Sequence, residues 1–283
     1  MLFCNVLVLR MKVKVYGADH SPWVQAVLLG LREKGIKHEL ILLPPYSVFR
    51  KWGILMPAVS IDGKPWQIDS TKILEKFDFD PISDKELRLV QNAWQSVLQR
   101  PRNPLRFFAG FARIQNPEPI PSKCYASHFA FSFICFYMFA LINFIKIVIM
   151  PKPPVDFGEQ FLYWEQVVAD SDGPFLDGAG PGTRDMLLFG VVQCHASIPV
   201  AALHALRNDA RLDGLRRWIG HMQTRFKDHP HLYSGAYFEP VLPQPETANF
   251  AQRLVFYFGL LTLFALFPLT LVLVFLLMKR VPR

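Results

Sequence analysis

Met56-Pro57-Ala58-Val59-Ser60-Ile61-Asp62-Gly63-Lys64-Pro65-Trp66-Gln67-Ile68-Asp69-Ser70 is the stretch from which the fold can be read. Pro57 to Ile61 predicts a short strand, Asp62-Gly63 a tight hairpin, and Lys64 to Ile68 the returning strand, because Asp and Gly both tolerate the left-handed backbone such a turn needs. Asp69-Ser70 then opens a helix whose Ile73, Leu74 and Phe77 share one face. Towards the N-terminus, Lys12 to Tyr16 alternates polar and apolar as a half-buried strand does, and Gly17 ends it. Ser21-Pro22 reads as a helix N-cap with proline at the first helical position. Val24, Val27, Leu28 and Leu31 follow at i, i+3, i+4 and i+7, giving one buried face and a stop near Gly35. His38 to Leu43 predicts a second strand closed by Pro44-Pro45, and a less regular segment leads back to Pro57. The order is β-α-β, then β-β-α.

That order is the thioredoxin-like arrangement, a right-handed β-α-β unit followed by a hairpin and helix, over residues 11–80. From Asp84 the hydrophobic period becomes helical. Leu87, Val90, Trp94 and Leu98 share a face, and Pro101, Pro104, Pro117, Pro119 and Pro121 then break the chain. Phe157 to Val168 predicts another helix and Asp172-Gly173-Pro174 a turn. Pro181-Gly182-Thr183-Arg184-Asp185 resembles, with its box half preserved, the element that caps the core helix of the second domain in glutathione transferases: the resemblance gives Gly182 the cap position, with Thr183 one place late and Asp185 in place to return the bond. Leu212, Leu215, Trp218, Ile219 and Met222 line a further amphipathic helix. The fold class is therefore α/β + all-α, with a helical-bundle domain over 84–240.

The chain has 283 residues, 51% of them hydrophobic and 19% charged, with 31 basic and 23 acidic side chains and a net charge of +8. This bias excludes intrinsic disorder, and the lack of a Gly-X-Y or heptad period excludes collagen and coiled coil. A mean hydropathy of +0.20 is high for a soluble protein, and the excess is local. Leu254 to Met278 is 25 residues without a charge, between Arg253 and Lys279, Arg280 and Arg283, and predicts one transmembrane helix over 254–278. Lys279, Arg280 and Arg283 favour a cytoplasmic C-terminus against Arg253 alone before the run, while the basic domain ahead of it weakens that rule and leaves the orientation open. The expectation is a single-pass C-terminal anchor with the soluble part in the cytoplasm. A second apolar run, 129–150, fits equally a central helix, a span or a helix dipping into a surface. Met1 to Leu9 is apolar but lacks the basic n-region and cleavage site of a signal peptide.

Cys4, Cys124, Cys135 and Cys194 are scattered without a C-x-x-C pair, against a disulfide scaffold or a zinc ribbon. Gly178-Ala179-Gly180-Pro181-Gly182 lacks the Lys-Ser/Thr of a phosphate loop. His221, His229 and His231 lack a helical i, i+4 spacing, so no metal is expected, and Cys194-His195 are adjacent rather than facing. The basic residues form no tract interleaved with aromatics, so no nucleic acid is expected; anionic lipid accounts for the charge more simply.

Residues 12 to 78 resemble the N-terminal domain of glutathione transferases. The resemblance implies that Pro57 is cis and that Met56 offers its backbone to the cysteinyl part of glutathione. It implies that Asp69 and Ser70 hold the γ-glutamyl group, where free helix N–H groups suit a carboxylate and Asp69 an ammonium. In the serine-using branch of that family a Ser just before the first helix hydrogen-bonds the glutathione sulfur, and Ser21 occupies that place as the candidate catalytic residue, with N-cap as its other reading. Tyr16 and His20 are secondary: a packed strand aromatic, and either an assisting or a solvated loop residue. The resemblance further implies a membrane-anchored transferase for detoxification, with glutathione as co-substrate and an apolar electrophile or peroxide as second substrate. Homodimers are usual in that family. The alternative is a non-catalytic, metaxin-like protein that carries the same fold on a membrane tail and serves in assembly or interaction.

Overall fold

A computed structural model of the chain describes residues 11–98, 112, 119–149, 156–197, 201–233 and 248–279. The leader Met1–Leu9 with Cys4, Pro101, Pro104, Pro117 and the closing Arg280 and Arg283 lie outside them. The described elements run β1 (Val13–Tyr16), α1 (Pro22–Glu33), β2 (His38–Ile41), α2 (Tyr46–Trp52), β3 (Ala58–Ile61), β4 (Gln67–Ile68), α3 (Ser70–Lys76) and α4 (Asp84–Leu98). After these come α5 (Pro121–Ile149), α6 (Leu162–Ala169), α7 (Thr183–Ser197), α8 (Ala201–Asn208), α9 (Asp213–Arg225), α10 (Phe250–Ala265) and α11 (Leu269–Met278). They pack as two compact units, one of residues 1–44, 55–95 and 155–243, the other of 45–54, 96–154 and 244–283.

The first unit holds a four-stranded sheet in the order β2-β1-β3-β4, with β1 parallel to β2 and antiparallel to β3, and β3 antiparallel to β4. This is the mixed sheet expected of the thioredoxin-like arrangement. Asp62 (φ 51°) and Gly63 (φ 74°) form the hairpin turn. The returning strand is shorter than expected, Gln67–Ile68, because Pro65 has no N–H to give to the ladder. Helix α1 is buried along nine of its 12 residues rather than on one face. It ends in a Schellman motif: Gly35 (φ 65°) donates to Arg32 O at 3.0 Å, and Ile36 N to Leu31 O at 2.8 Å. The segment after Pro44-Pro45, irregular by sequence, contains helix α2.

Helix α7, buried from Asp185 to Ala196, packs on α1. The approach is close because residue 190 is glycine: a Cβ there would stand 2.3 Å from Pro22 O and 3.2 Å from Ala26 N. The half-preserved capping box is a larger structure than its sequence suggests. Asp185 Oδ1 accepts from Leu176 N at 2.8 Å and Trp218 Nε1 at 2.7 Å, and Oδ2 from Gly182 N at 3.0 Å and Asp177 N at 3.1 Å. Thr183, one place past the cap, instead donates its hydroxyl to Asp80 O. The carboxylate so ties the 175–182 loop and α9 to the first turn of α7. On α9, Leu215, Trp218, Ile219 and Met222 are fully buried, the face expected from their spacing.

The second unit is built of α2, α5, α10 and α11. The run expected to form one helix over 254–278 is instead two, α10 and α11, bent by 100° at Leu266–Pro268. Proline removes the N–H that would continue the ladder, and the helix turns there. Among the described residues no single helix is long and apolar enough to cross a membrane. Helix α10 starts with a capping box between Asn249 and Gln252, at 2.9 and 3.0 Å. Ile54, Phe136, Tyr137, Leu263, Val274 and Leu277 form the unit's core.

Candidate functional site

The register of the sheet brings the candidate residues to one end of it. Tyr16 pairs with Ala58, and Ala58 with Ile68, so these three lie side by side across β1, β3 and β4. Tyr16 leads into the loop that carries Ser21, Ala58 comes directly after Met56-Pro57, and Ile68 precedes Asp69-Ser70. Two helices, α1 and α3, also begin there, each with the partial positive charge of its first turn, although Asp69 takes up Thr71 N and Lys72 N of α3 and Pro22 gives α1 no N–H at its first position. A direct bond joins two of the three segments: Ala18 N donates to Met56 Sδ at 3.3 Å.

Each candidate has a definite state. The Met56–Pro57 bond is cis. Among the described residues neither the N–H nor the C=O of Met56 has a hydrogen-bond partner, so both are open to a peptide laid along β3. Ser21 has the extended backbone of an N-cap (φ −72°, ψ 130°), yet its side chain makes no cap bond. Its hydroxyl is not spent on the helix. Ser70 is buried at the first position of α3, and Asp69 (φ 82°) is that helix's N-cap. Asp69 uses one oxygen, Oδ1, for all its bonds, to Thr71 N at 3.0 Å, Thr71 Oγ1 at 2.7 Å and Lys72 N at 3.5 Å. Tyr16 is fully buried, and burial pushes its phenol upward, as for a packed strand aromatic.

Sequence reading missed the group beside Ser21. His20 is no solvated loop residue: it is 2% exposed, its ring centroid 4.9 Å from that of Tyr233. Asp19 Oδ2 accepts from Tyr233 OH at 2.8 Å and pairs with His231 Nδ1 at 2.7 Å, while Oδ1 lies 3.3 Å from His20 Nε2. Gln25 of α1 donates to Asp19 O at 2.6 Å and His231 O at 3.0 Å. Burial works against ionising Asp19, but His20, His231 and Tyr233 outweigh it and hold the carboxyl well below its usual range. Burial pushes His20 down despite Asp19 beside it. His231 and Tyr233 lie more than 200 residues from Asp19 in the chain, and no local spacing announces them.

These environments set a pH dependence. Burial pushes His195 down to about 4 and His229 to about 3. Depressed histidines stay neutral in the folded chain and take up protons in the unfolded one, so their contribution is complete above pH 6.5 and lost as pH falls. Asp185, pushed up to about 6 by burial, opposes one of them between pH 6 and 4. These three groups together give a loss of roughly 3 kcal/mol between pH 7 and 4.5, at about 1.4 kcal/mol per group and pH unit, and His20, pushed the same way, adds to it. Urea unfolding at the two pH values measures it; equal midpoints would contradict it.

Among the described residues no group of three or more His, Cys, Asp or Glu could hold a metal ion. No family model matches the chain, and no curated protein does. Solved structures with a similar course are glutathione S-transferases. One is the theta class enzyme of Xanthomonas axonopodis pv. citri with glutathione bound (15% identity, TM-score 0.40, 78% of this chain and 94% of that one). Another is the Tau class enzyme of mango, Mangifera indica (17%, 0.42, 88% and 97%). A third is glutathione S-transferase III in its apo form (16%, 0.44, 83% and 100%). The thioredoxin-like arrangement rests on the topology and register of the sheet rather than on these likenesses.

Proposed function

We propose that the chain is a glutathione-binding transferase tethered to a membrane through its C-terminal apolar helices. The observation that carries this reading is the sheet register that sets Ser21, Met56-Pro57 and Asp69-Ser70 at one end of β1, β3 and β4. Glutathione supplies the nucleophilic thiol. The open N–H and C=O of Met56 suit its cysteinyl backbone, and the first turn of α3 suits the γ-glutamyl carboxylate. The uncommitted Ser21 hydroxyl, at the positive end of α1, donates to the sulfur and favours the thiolate. The thiolate then forms a bond to carbon of an apolar electrophile as the leaving group departs, or takes one oxygen of a peroxide as the O–O bond breaks and the alkoxide leaves with a proton as the alcohol. In the second case the resulting glutathione sulfenic acid is closed to a disulfide by a second glutathione with loss of water. Anchoring places this chemistry where apolar substrates concentrate. Lys279, Arg280 and Arg283 favour a cytoplasmic C-terminus.

One observation favours the non-catalytic, metaxin-like reading: Asp69 turns its carboxylate onto its own helix, where the resemblance has it receive an ammonium. The ultraviolet absorbance of the bound thiolate, titrated against pH, separates the two. The wild type should lower the thiol pKa by at least one unit and Ser21→Ala should restore the free value. Ser70→Ala should weaken binding about tenfold, the loss of one hydrogen bond to a charged group. A thiol pKa unchanged by Ser21→Ala would remove Ser21 from the chemistry.

A further inference from the structure

The positive charge of the chain belongs entirely to its second unit. Residues 45–54, 96–154 and 244–283 carry 13 basic and two acidic side chains, net +11, while the remainder carries 18 basic and 21 acidic, net −3. The same unit exposes its apolar side chains. Fourteen large hydrophobics between Phe250 and Leu276 are exposed, among them Phe250, Leu254, Phe258, Leu261 and Leu269, each more than half accessible. Soluble surfaces do not carry so large a contiguous apolar patch without a partner. A patch of this kind in an acid-poor, basic stretch of sequence matches the interface of an anionic bilayer, with acyl chains against the exposed helix faces and phosphates against the exposed Arg253 and Lys279 near the two ends of the helix pair.

The geometry goes further than attachment. Helix α10, of 16 residues, is about 24 Å long and α11, of 10 residues, about 15 Å, against a hydrocarbon core of roughly 30 Å. A 100° bend separates them. The bend is built in. Phe267 N turns to Phe264 O at 3.2 Å, and the buried Thr270 hydroxyl takes up Leu263 O at 3.0 Å, so the broken ladder leaves this carbonyl bonded where no water reaches. Both arms are clamped on α5. A Cβ at Gly259 of α10 would meet Ser132 Oγ at 2.1 Å, and Val274 and Leu277 of α11 share the core with Phe136 and Tyr137. Gly53 (φ +68°), at the end of α2, admits Leu277 beside it.

We propose that α10 and α11 form a re-entrant hairpin that enters one leaflet of an anionic membrane and returns, so that the C-terminus stays on the side of the bilayer where the thioredoxin-like unit lies. This rests on the membrane attachment of the proposed function and replaces the single-pass crossing with a one-sided insertion.

Full-length protein with Cys4→Ser, whose other three cysteines are buried, tests it. Cysteine is introduced singly as Lys64→Cys, on the exposed hairpin of the sheet, and as Lys279→Cys, at the end of α11. Sealed membrane vesicles of both orientations, prepared from expressing cells, are treated with a membrane-impermeant maleimide. The proposal expects the two positions to label together, both from outside in one orientation and both protected in the other. Opposite accessibility would show a crossing helix and overturn it. Flotation of purified protein with vesicles adds the lipid. Binding to phosphatidylglycerol-containing vesicles should be at least tenfold tighter than to phosphatidylcholine alone and weaken with salt; equal binding would overturn the anionic preference. A protein that floats with neither vesicle and self-associates through this face would refute membrane attachment itself.

Discussion

Asp185→Ala should lower the stability of the folded chain by about 4 kcal/mol, a large part of the 5–15 kcal/mol that holds a typical domain. Four N–H donors converge on this carboxylate, two on each oxygen. Alanine leaves Leu176 N and the fully buried indole of Trp218 without an acceptor, and unties the loop from the start of α7. Asp185→Asn is expected to recover only part of the loss, because its amide nitrogen faces donors instead of accepting from them. Urea unfolding followed by circular dichroism measures both variants. A loss below about 1 kcal/mol for alanine would show that the donors find water instead.

Gly190→Ala should cost about 3 kcal/mol through overpacking alone. The added methyl would meet Pro22 O and Ala26 N. Both are backbone atoms that cannot swing aside, so α7 and α1 must move apart. Gly220→Ala, on helix α9, is the contrast: a Cβ there meets nothing within 4 Å. It should stabilise by about 0.5–1 kcal/mol by lowering the entropy of the unfolded chain. Opposite signs for one substitution at two helical glycines would locate the effect in the crossing. Equal values would mean that α1 and α7 do not meet at Gly190.

The range of each interaction decides whether the sequence disclosed it. The hairpin at Asp62-Gly63, the stop of α1 at Gly35 and the buried face of α9 were legible because turn chemistry and period act within a few residues. The helix Tyr46–Trp52 was not, because Pro44-Pro45 reads as a breaker and the helix draws its burial from distant partners. The apolar run 254–278 was legible in composition but not in shape: Pro268 is tolerated in a spanning helix, and the bend is held by the Thr270 hydroxyl on Leu263 O and by packing against Phe136 and Tyr137, which no local pattern announces. At the candidate site, Ser21, Met56 and Asp69-Ser70 are candidates through the resemblance, which the order and spacing of local motifs made visible. The Asp19, His231 and Tyr233 group joins residues more than 200 apart and leaves no periodic trace.

Whether the end of the sheet between Ser21 and Ser70 receives glutathione decides between an enzyme and a scaffold. Calorimetric titration of glutathione into the full-length protein in detergent micelles is the direct measurement, run beside the dipeptide cysteinylglycine, which lacks the γ-glutamyl group. One saturable site for glutathione, with cysteinylglycine bound at least tenfold more weakly, is the predicted result. No binding heat from protein whose circular dichroism shows it folded would contradict the transferase reading and leave a membrane-tethered interaction module.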